Sequence, residues 1–257
     1  MPQVIRTPMS RPVTVVQTRN LPLTQPLVWL QRGWRDFRRM PLYSLAHGCL
    51  AMSLGMFLMV GSLKLGHLAP ALIGGFMLFA PFLALPFFKA SMELEKEHGA
   101  RRLTTLDAWR HNTGSIALYG LILALALLAW LRISAITVAV FHNGMIPEDT
   151  HVIRDLLTGE HDGLALAFFG SGALIAAAVF AVSVVSGPLL LERRIDVVSA
   201  MLTSLRICHE KPVLLLVWGG LMALMTLIGF ATFLIGLAVI FPIVGHATWH
   251  AYRDLTE

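Results

Sequence analysis

From residue 212 to residue 244 the chain carries no charged side chain at all. A run of that length is long enough to lie in hydrocarbon, where a spanning helix takes roughly 20 apolar residues. Other stretches behave in the same way, and the whole sequence of 257 residues is 56% hydrophobic and only 14% charged. Its mean hydropathy is +0.70, whereas a soluble domain carries about a quarter charged residues. The chain is therefore expected in a membrane. Six spans are read at about 41–63, 68–88, 115–141, 163–190, 212–228 and 230–249, the last two separated by a tight turn near Gly229. Unpaired backbone groups are too costly in lipid for open strands, so the spans should be helices.

Charge orients them. In this topology 17 of the 20 Lys and Arg residues fall before the first span, in 89–114, in 192–211 or at the end of the chain. The opposite side keeps Lys64, Arg132 and Arg154, with an acidic 142–162 loop. Cationic loops stay inside, so both termini are expected to be cytoplasmic. A pI near 9.7 then reflects topology and anionic lipid, and nucleic acid is not an expected partner. The first 40 residues hold no continuous apolar core, so the first membrane helix is expected to direct insertion. Cys49 and Cys208 both fall on the reducing side, in no ligand spacing, and no disulfide is expected.

Residues 1–25, rich in Pro, Thr, Arg and Gln, suit a flexible basic tail ahead of a single membrane domain at 26–257. In LVWLQRGWRDFRRM the residues Leu30, Trp34 and Phe37 share one helical face, which predicts a helix over 26–40 lying along the membrane with Trp34 inward. Docking of that helix on its own bundle fits the same pattern.

A repeat runs through WRDFRRMPLYSLAHG (34–48), LDAWRHNTGSIALYG (106–120) and LRICHEKPVLLLVWG (205–219). Each couples a cationic amphipathic lead-in to Pro41, Gly114 or Pro212, an apolar ramp and then Gly48, Gly120 or Gly219. The returning segments carry Pro81 and Pro86, Pro188, and Pro242. The fold expected is all-α: a polytopic bundle of six transmembrane helices, built as three pseudo-repeated hairpins with cytoplasmic lead-in helices. Kinks at those prolines should free carbonyls that a neighbour must satisfy.

The run SGPLLLERRIDVVSAMLTSLRICHEKPVLLLVWGG with the ending GLAVIFPIVGHATWHAYRDL resembles a bacterial family catalogued as "domain of unknown function twenty-one eighty-nine", and Gly33–Phe37 is similar to its entry helix. The resemblance covers nearly everything after about residue 28. It implies a multi-span protein of the bacterial inner membrane and no assigned reaction.

Chemistry is sparse. Arg132 is the one charge inside a span, near an interface, which disfavours an ion-coupled transporter. No nucleophile elbow, HExxH helix or phosphate-cradling glycine loop occurs. His142, His151 and His161 stand among acids in the 142–162 loop, a setting for a weak cation site or for a plain acidic loop. His246 and His250, one turn apart, are the sharper candidates as metal ligands, with His47 at similar depth as a third. The competing readings are interfacial belt residues or satisfied core residues, with Trp249 and Tyr252 beside them. The role expected is a non-catalytic interaction, assembly or envelope-maintenance factor, its partners the bilayer and other membrane proteins. The alternative is a membrane subunit binding haem or a transition metal in respiratory-complex biogenesis, and the third reading is a passive small-molecule or lipid transporter.

Overall fold

The computed structural model describes residues 21–62, 69–96, 110, 112–144, 151–158 and 163–256, and all regular structure among them is helical. In order these are α1 (Gln25–Arg39), α2 (Pro41–Ser62), α3 (Ala69–Phe76), α4 (Ala80–Leu83), α5 (Leu85–Glu95), α6 (Thr113–Phe141), α7 (His151–Thr158), α8 (Leu164–Ser183), α9 (Ser186–Glu192), α10 (Val197–Glu210), α11 (Pro212–Ala231) and α12 (Leu237–Thr256). Among the described residues five segments are long and apolar enough to cross a membrane: Pro41–Gly61, Gly74–Glu95, Thr113–Phe141, Leu164–Glu192 and Pro212–Ala231. Most of the expected tail at 1–25 and most of the second lead-in, 106–114, lie outside the described residues.

Proline sets the helix starts. Met40 leaves α1 at φ −132° and ψ 57°, and Lys211 leaves α10 at φ −132° and ψ 54°. In both cases the next residue is a proline that opens a span. The ring of a following proline crowds the preceding backbone out of the helical region, while its own fixed φ suits the first helical position. Asn112 precedes α6 at φ −147° and ψ 54°, so the third entry turns much as the other two do.

Prolines also act on the returning segments, in two different ways. The first return is broken into α3, a 3-10 turn at Met77–Phe79, α4 and α5, and the second breaks between α8 and α9 at Val184 and Val185. There Ser204 of α10 enters the gap: the Val185 N–H donates to its Oγ at 3.5 Å, and the Ser204 hydroxyl donates to the Ala181 carbonyl at 2.7 Å. A neighbouring helix thus satisfies backbone groups that the break leaves over. The third return does not break, for Pro242 sits inside an uninterrupted α12. Pro242 has no N–H to give the Ala238 carbonyl, and Gly48 of α2 faces that carbonyl so closely that an added Cβ would stand only 2.1 Å from it. Gly33 of α1 approaches α12 in the same manner, its absent Cβ 2.5 Å from the Ile243 carbonyl.

The turn between the last two helices falls at 232–236, not at Gly229, with Phe233 and Leu234 in left-handed backbone at φ 52° and 68°. Gly229 instead lies under Leu237. Consequently the final helix starts later than the expected 230–249 span and runs on to Thr256. Because it carries His246, His250, Arg253 and Asp254, it is not among the five apolar segments. It is nonetheless deeply enclosed: Phe241, His246, Trp249, Tyr252 and Leu255 are all buried, and the helix packs against α1, α2 and α5.

α1 docks on α12 through Trp29, Gly33, Asp36 and Phe37, the docking that the sequence pattern also fits. Of the face read from the sequence, Phe37 is buried and Leu30 packs partly against the core, while Trp34 is 45% exposed and stacks on Phe37 at 5.4 Å between ring centres. Close approach at Gly33 brings Trp29 and Asp36 onto the docked stripe.

Candidate functional site

Four helices deliver polar side chains to one buried chain of hydrogen bonds. Ser44 of α2 lies at 2.9 Å from His246 Nε2, and Ser91 of α5 at 2.8 Å from His246 Nδ1. The Ser91 hydroxyl donates to Asp36 Oδ2 of α1 at 2.7 Å, so its oxygen accepts from His246. That places a proton on Nδ1 and leaves Nε2 to accept from Ser44 in the neutral imidazole. His250 Nε2 donates to the same Asp36 oxygen at 2.8 Å. Ser44, Ser91, His246 and Asp36 are all buried. The donors converge on a single carboxylate: burial alone would raise the Asp36 pKa, yet the hydrogen bonds from His250 and Ser91 and the nearby imidazoles hold it below the ordinary aspartate value.

A second cluster ties the ends of the same helices. Asp254 accepts from Gln25 Nε2 at 2.6 Å and Trp29 Nε1 at 2.8 Å, and its other oxygen lies 3.1 Å from Arg32 Nη1. Glu192 of α9 takes Arg253 at 3.0 Å and the Tyr252 hydroxyl. Glu95 stands 3.5 Å from Arg253 and 3.8 Å from His250 Nδ1.

These contacts show where the three candidate histidines lie and what each touches. Both ring nitrogens of His246 are taken by serines, and His250 Nε2 by Asp36. His47 turns Nδ1 to the Tyr43 carbonyl at 2.9 Å and sets its ring 6.1 Å from Phe87, against whose ring His246 also lies, at 5.5 Å. Among the described residues no group of three or more His, Cys, Asp or Glu is placed to hold a metal ion. His246, Trp249 and Tyr252 are enclosed in protein rather than exposed at an interface; His246 and Tyr252 have hydrogen-bond partners, as the satisfied-core reading expects, whereas the Trp249 indole N–H has none. In the 142–162 loop, His142 Nε2 pairs with Asp155 at 2.9 Å, whereas His161 lies outside the described residues.

Asp36, Ser44 and Ser91 were not candidates on sequence grounds. One signal pointed to Asp36: it is the only acid in a helix with four arginines, and a carboxylate on the docking face has to be paired.

Two cavities border this core. One, of about 380 Å³, is apolar and is walled by side chains of the first and second returns, α6, α11 and α12, among them Phe88, Trp130, Phe168, Trp218 and Met222. Trp218 is fully buried with its indole N–H lacking an acceptor, and its ring meets Trp29 edge-on at 5.5 Å. The other, of about 260 Å³, is polar and is bounded by Arg32, Arg35, Asp36, Arg39, Glu95 and His250, with Leu94. Neither cavity is lined by Ser44, Ser91 or His246.

Comparison with known proteins adds a family. No curated protein and no solved structure matches the chain. The model of a family described as predicted integral membrane protein, DUF2189, matches residues 68–192, from the first return to the end of α9. It is the family that the sequence resembles, although most of the quoted C-terminal motif lies beyond the matched stretch. Residues 68–192 thus match the model of the DUF2189 family of predicted integral membrane proteins, and they supply two of the helices, α5 and α9, that pack around α12.

Proposed function

We propose that the protein is a non-catalytic binding and assembly factor of the bacterial inner membrane that holds an apolar, lipid-like molecule between its helices. In this reading α12 completes a sixth span, the three entries at Pro41, Thr113 and Pro212 head three related hairpins, and both termini face the cytoplasm, as the Lys and Arg distribution favours. The observation that carries it is the apolar cavity of about 380 Å³ between the helices, walled by Phe88, Trp130, Phe168, Trp218 and Met222. Ligand sites are of this size and largely apolar.

The absence of catalysis is supported from the other direction. Ser44, His246 and Ser91 bear the residue types of nucleophilic chemistry, yet they are fully enclosed and border neither cavity, so a substrate in either one does not meet them. Their hydrogen bonds join α2, α12, α5 and α1, which is the work of a structural clamp.

Mass spectrometry of molecules extracted from the purified full-length protein tests the reading. Ala176 lines the cavity, and Ala176→Phe should fill it while leaving the clamp intact. A lipid-like molecule retained in stoichiometric amount by the parent and lost from A176F supports the proposal. Equal retention by the two proteins, or no retained apolar molecule in the parent, overturns it.

A further inference from the structure

The polar cavity has a charge imbalance that the described residues do not cancel. Of the groups around it, Arg32 is committed to Asp254 at 3.1 Å. Asp36 is committed inward to Ser91 and His250, and Glu95 lies beside Arg253 and His250. Arg35 and Arg39 are left. No ion pair or hydrogen bond to either is found among the described residues. They stand one helical turn apart and line the same cavity, where like charges at that spacing repel. An anion shared between two guanidinium groups would turn the repulsion into attraction, and the planar fork of each matches the oxygens of a phosphate.

We infer that the cavity between α1, α5 and α12 is a binding site for a phosphate oxyanion, with Arg35 and Arg39 as its ligands and Arg32 at its edge. Asp36 and Glu95 border the same cavity, but Asp36 is engaged by Ser91 and His250 and Glu95 lies beside Arg253, and the three arginines of the lining outnumber these two carboxylates. The site is within reach of lipid phosphates, since α1 leads directly into the Pro41–Gly61 segment and basic pockets at such helix ends receive anionic headgroups. A phospholipid headgroup and a free phosphate share this chemistry. The inference does not depend on the apolar cavity, whose walls include none of these arginines.

The test uses the full chain in an uncharged detergent. Native mass spectrometry counts retained phosphatidylglycerol against phosphatidylcholine of the same chains, and thermal unfolding is followed with added inorganic phosphate. The variants are Arg35→Gln with Arg39→Gln, and Arg38→Gln, which removes one charge from the same helix but lines neither cavity. The parent should prefer phosphatidylglycerol, and the double variant should lose at least about tenfold in affinity, as expected for lost hydrogen bonds to a charged group. R38Q should stay within about twofold. A matching stabilisation by phosphate, lost in the double variant, identifies the free anion as sufficient. Lipid preference without a phosphate effect identifies the headgroup. Equal retention of the two lipids together with no phosphate effect, or an equal loss in R38Q, overturns the site. All three arginines are exposed, so misfolding of the variants is not expected, and gel filtration verifies it.

Discussion

The corner formed by α1, α2, α5 and α12 and the flank formed by α6, α8 and α11 are held together by different physics. In the corner, backbones touch at Gly33 and Gly48, and buried side-chain polar atoms have partners. The exception among the described residues is Trp249, whose indole N–H lies near Glu95 without hydrogen-bond geometry. In the flank, Tyr119, Ser134, Ser183 and Trp218 all bury a polar atom without a well-formed hydrogen bond among the described residues, although the Tyr119 and Ser183 hydroxyls lie near each other. Contacts there are rings against small residues, as Trp130 against Gly172. Directional bonds and backbone contact fix a register, whereas non-directional packing tolerates sliding and an included guest. A rigid corner beside an accommodating flank is what a membrane protein needs if it is to hold its own shape and also a ligand.

The largest way to break this contrast is a single methyl group. Gly48→Ala drives Cβ to within 2.1 Å of a backbone carbonyl, and a backbone atom on a packed helix has nowhere to yield. It should cost about 3 kcal/mol or more, at the upper end of overpacking. Gly220→Ala in α11 meets nothing within 4 Å and should change stability by less than about 0.5 kcal/mol. Denaturant unfolding in micelles measures both, and similar losses from the two would erase the distinction between corner and flank.

Asp36→Ala comes next, with an expected loss of about 2 kcal/mol because it strands the buried Ser91 hydroxyl and the partly buried His250 N–H. It also carries a pH signature. Since the folded pKa of Asp36 is lowered, its contribution is fully present above the ordinary value of 3.8 and is lost as the pH falls through the folded value. The parent should therefore weaken below about pH 4 by more than Asp36→Ala does. Melting curves between pH 3 and 6 that run parallel for the two proteins would show that Asp36 is not ionised in the clamp.

The two regions also differed in how far the sequence disclosed them. Apolar length revealed the helices of the flank, and the proline entries revealed where α2 and α11 begin, because these signals are local. The last helix was placed too early: its hydropathy falls off at His246, and only the partners on α1, α2 and α5 make a polar helix tolerable inside the bundle. Asp36, Ser44 and Ser91 stand apart in the chain from His246, and nothing in their own neighbourhoods announces that meeting. The docked stripe of α1 follows a related rule. Amphipathic pattern identified α1 as a docking helix, but which stripe docks was decided by the close approach at Gly33, a property of the pair of helices and not of either one.

One substitution made in both regions sharpens the comparison at the smallest scale. Ser44 and Ser134 are each buried, and Ser→Ala removes the same hydroxyl from each. At position 44 the loss leaves His246 Nε2 unpaired in a site closed to water, so Ser44→Ala should cost about 1–2 kcal/mol, the penalty of a stranded buried acceptor. At position 134 the hydroxyl has no partner to strand, and its own desolvation is relieved by removal. Ser134→Ala should be neutral or stabilising by up to about 1 kcal/mol. The sign of the difference, read from paired unfolding curves, is the quantity that matters. If Ser134→Ala destabilises as much as Ser44→Ala does, the flank hides a polar partner of its own, and its polar atoms are as firmly tied as those around His246.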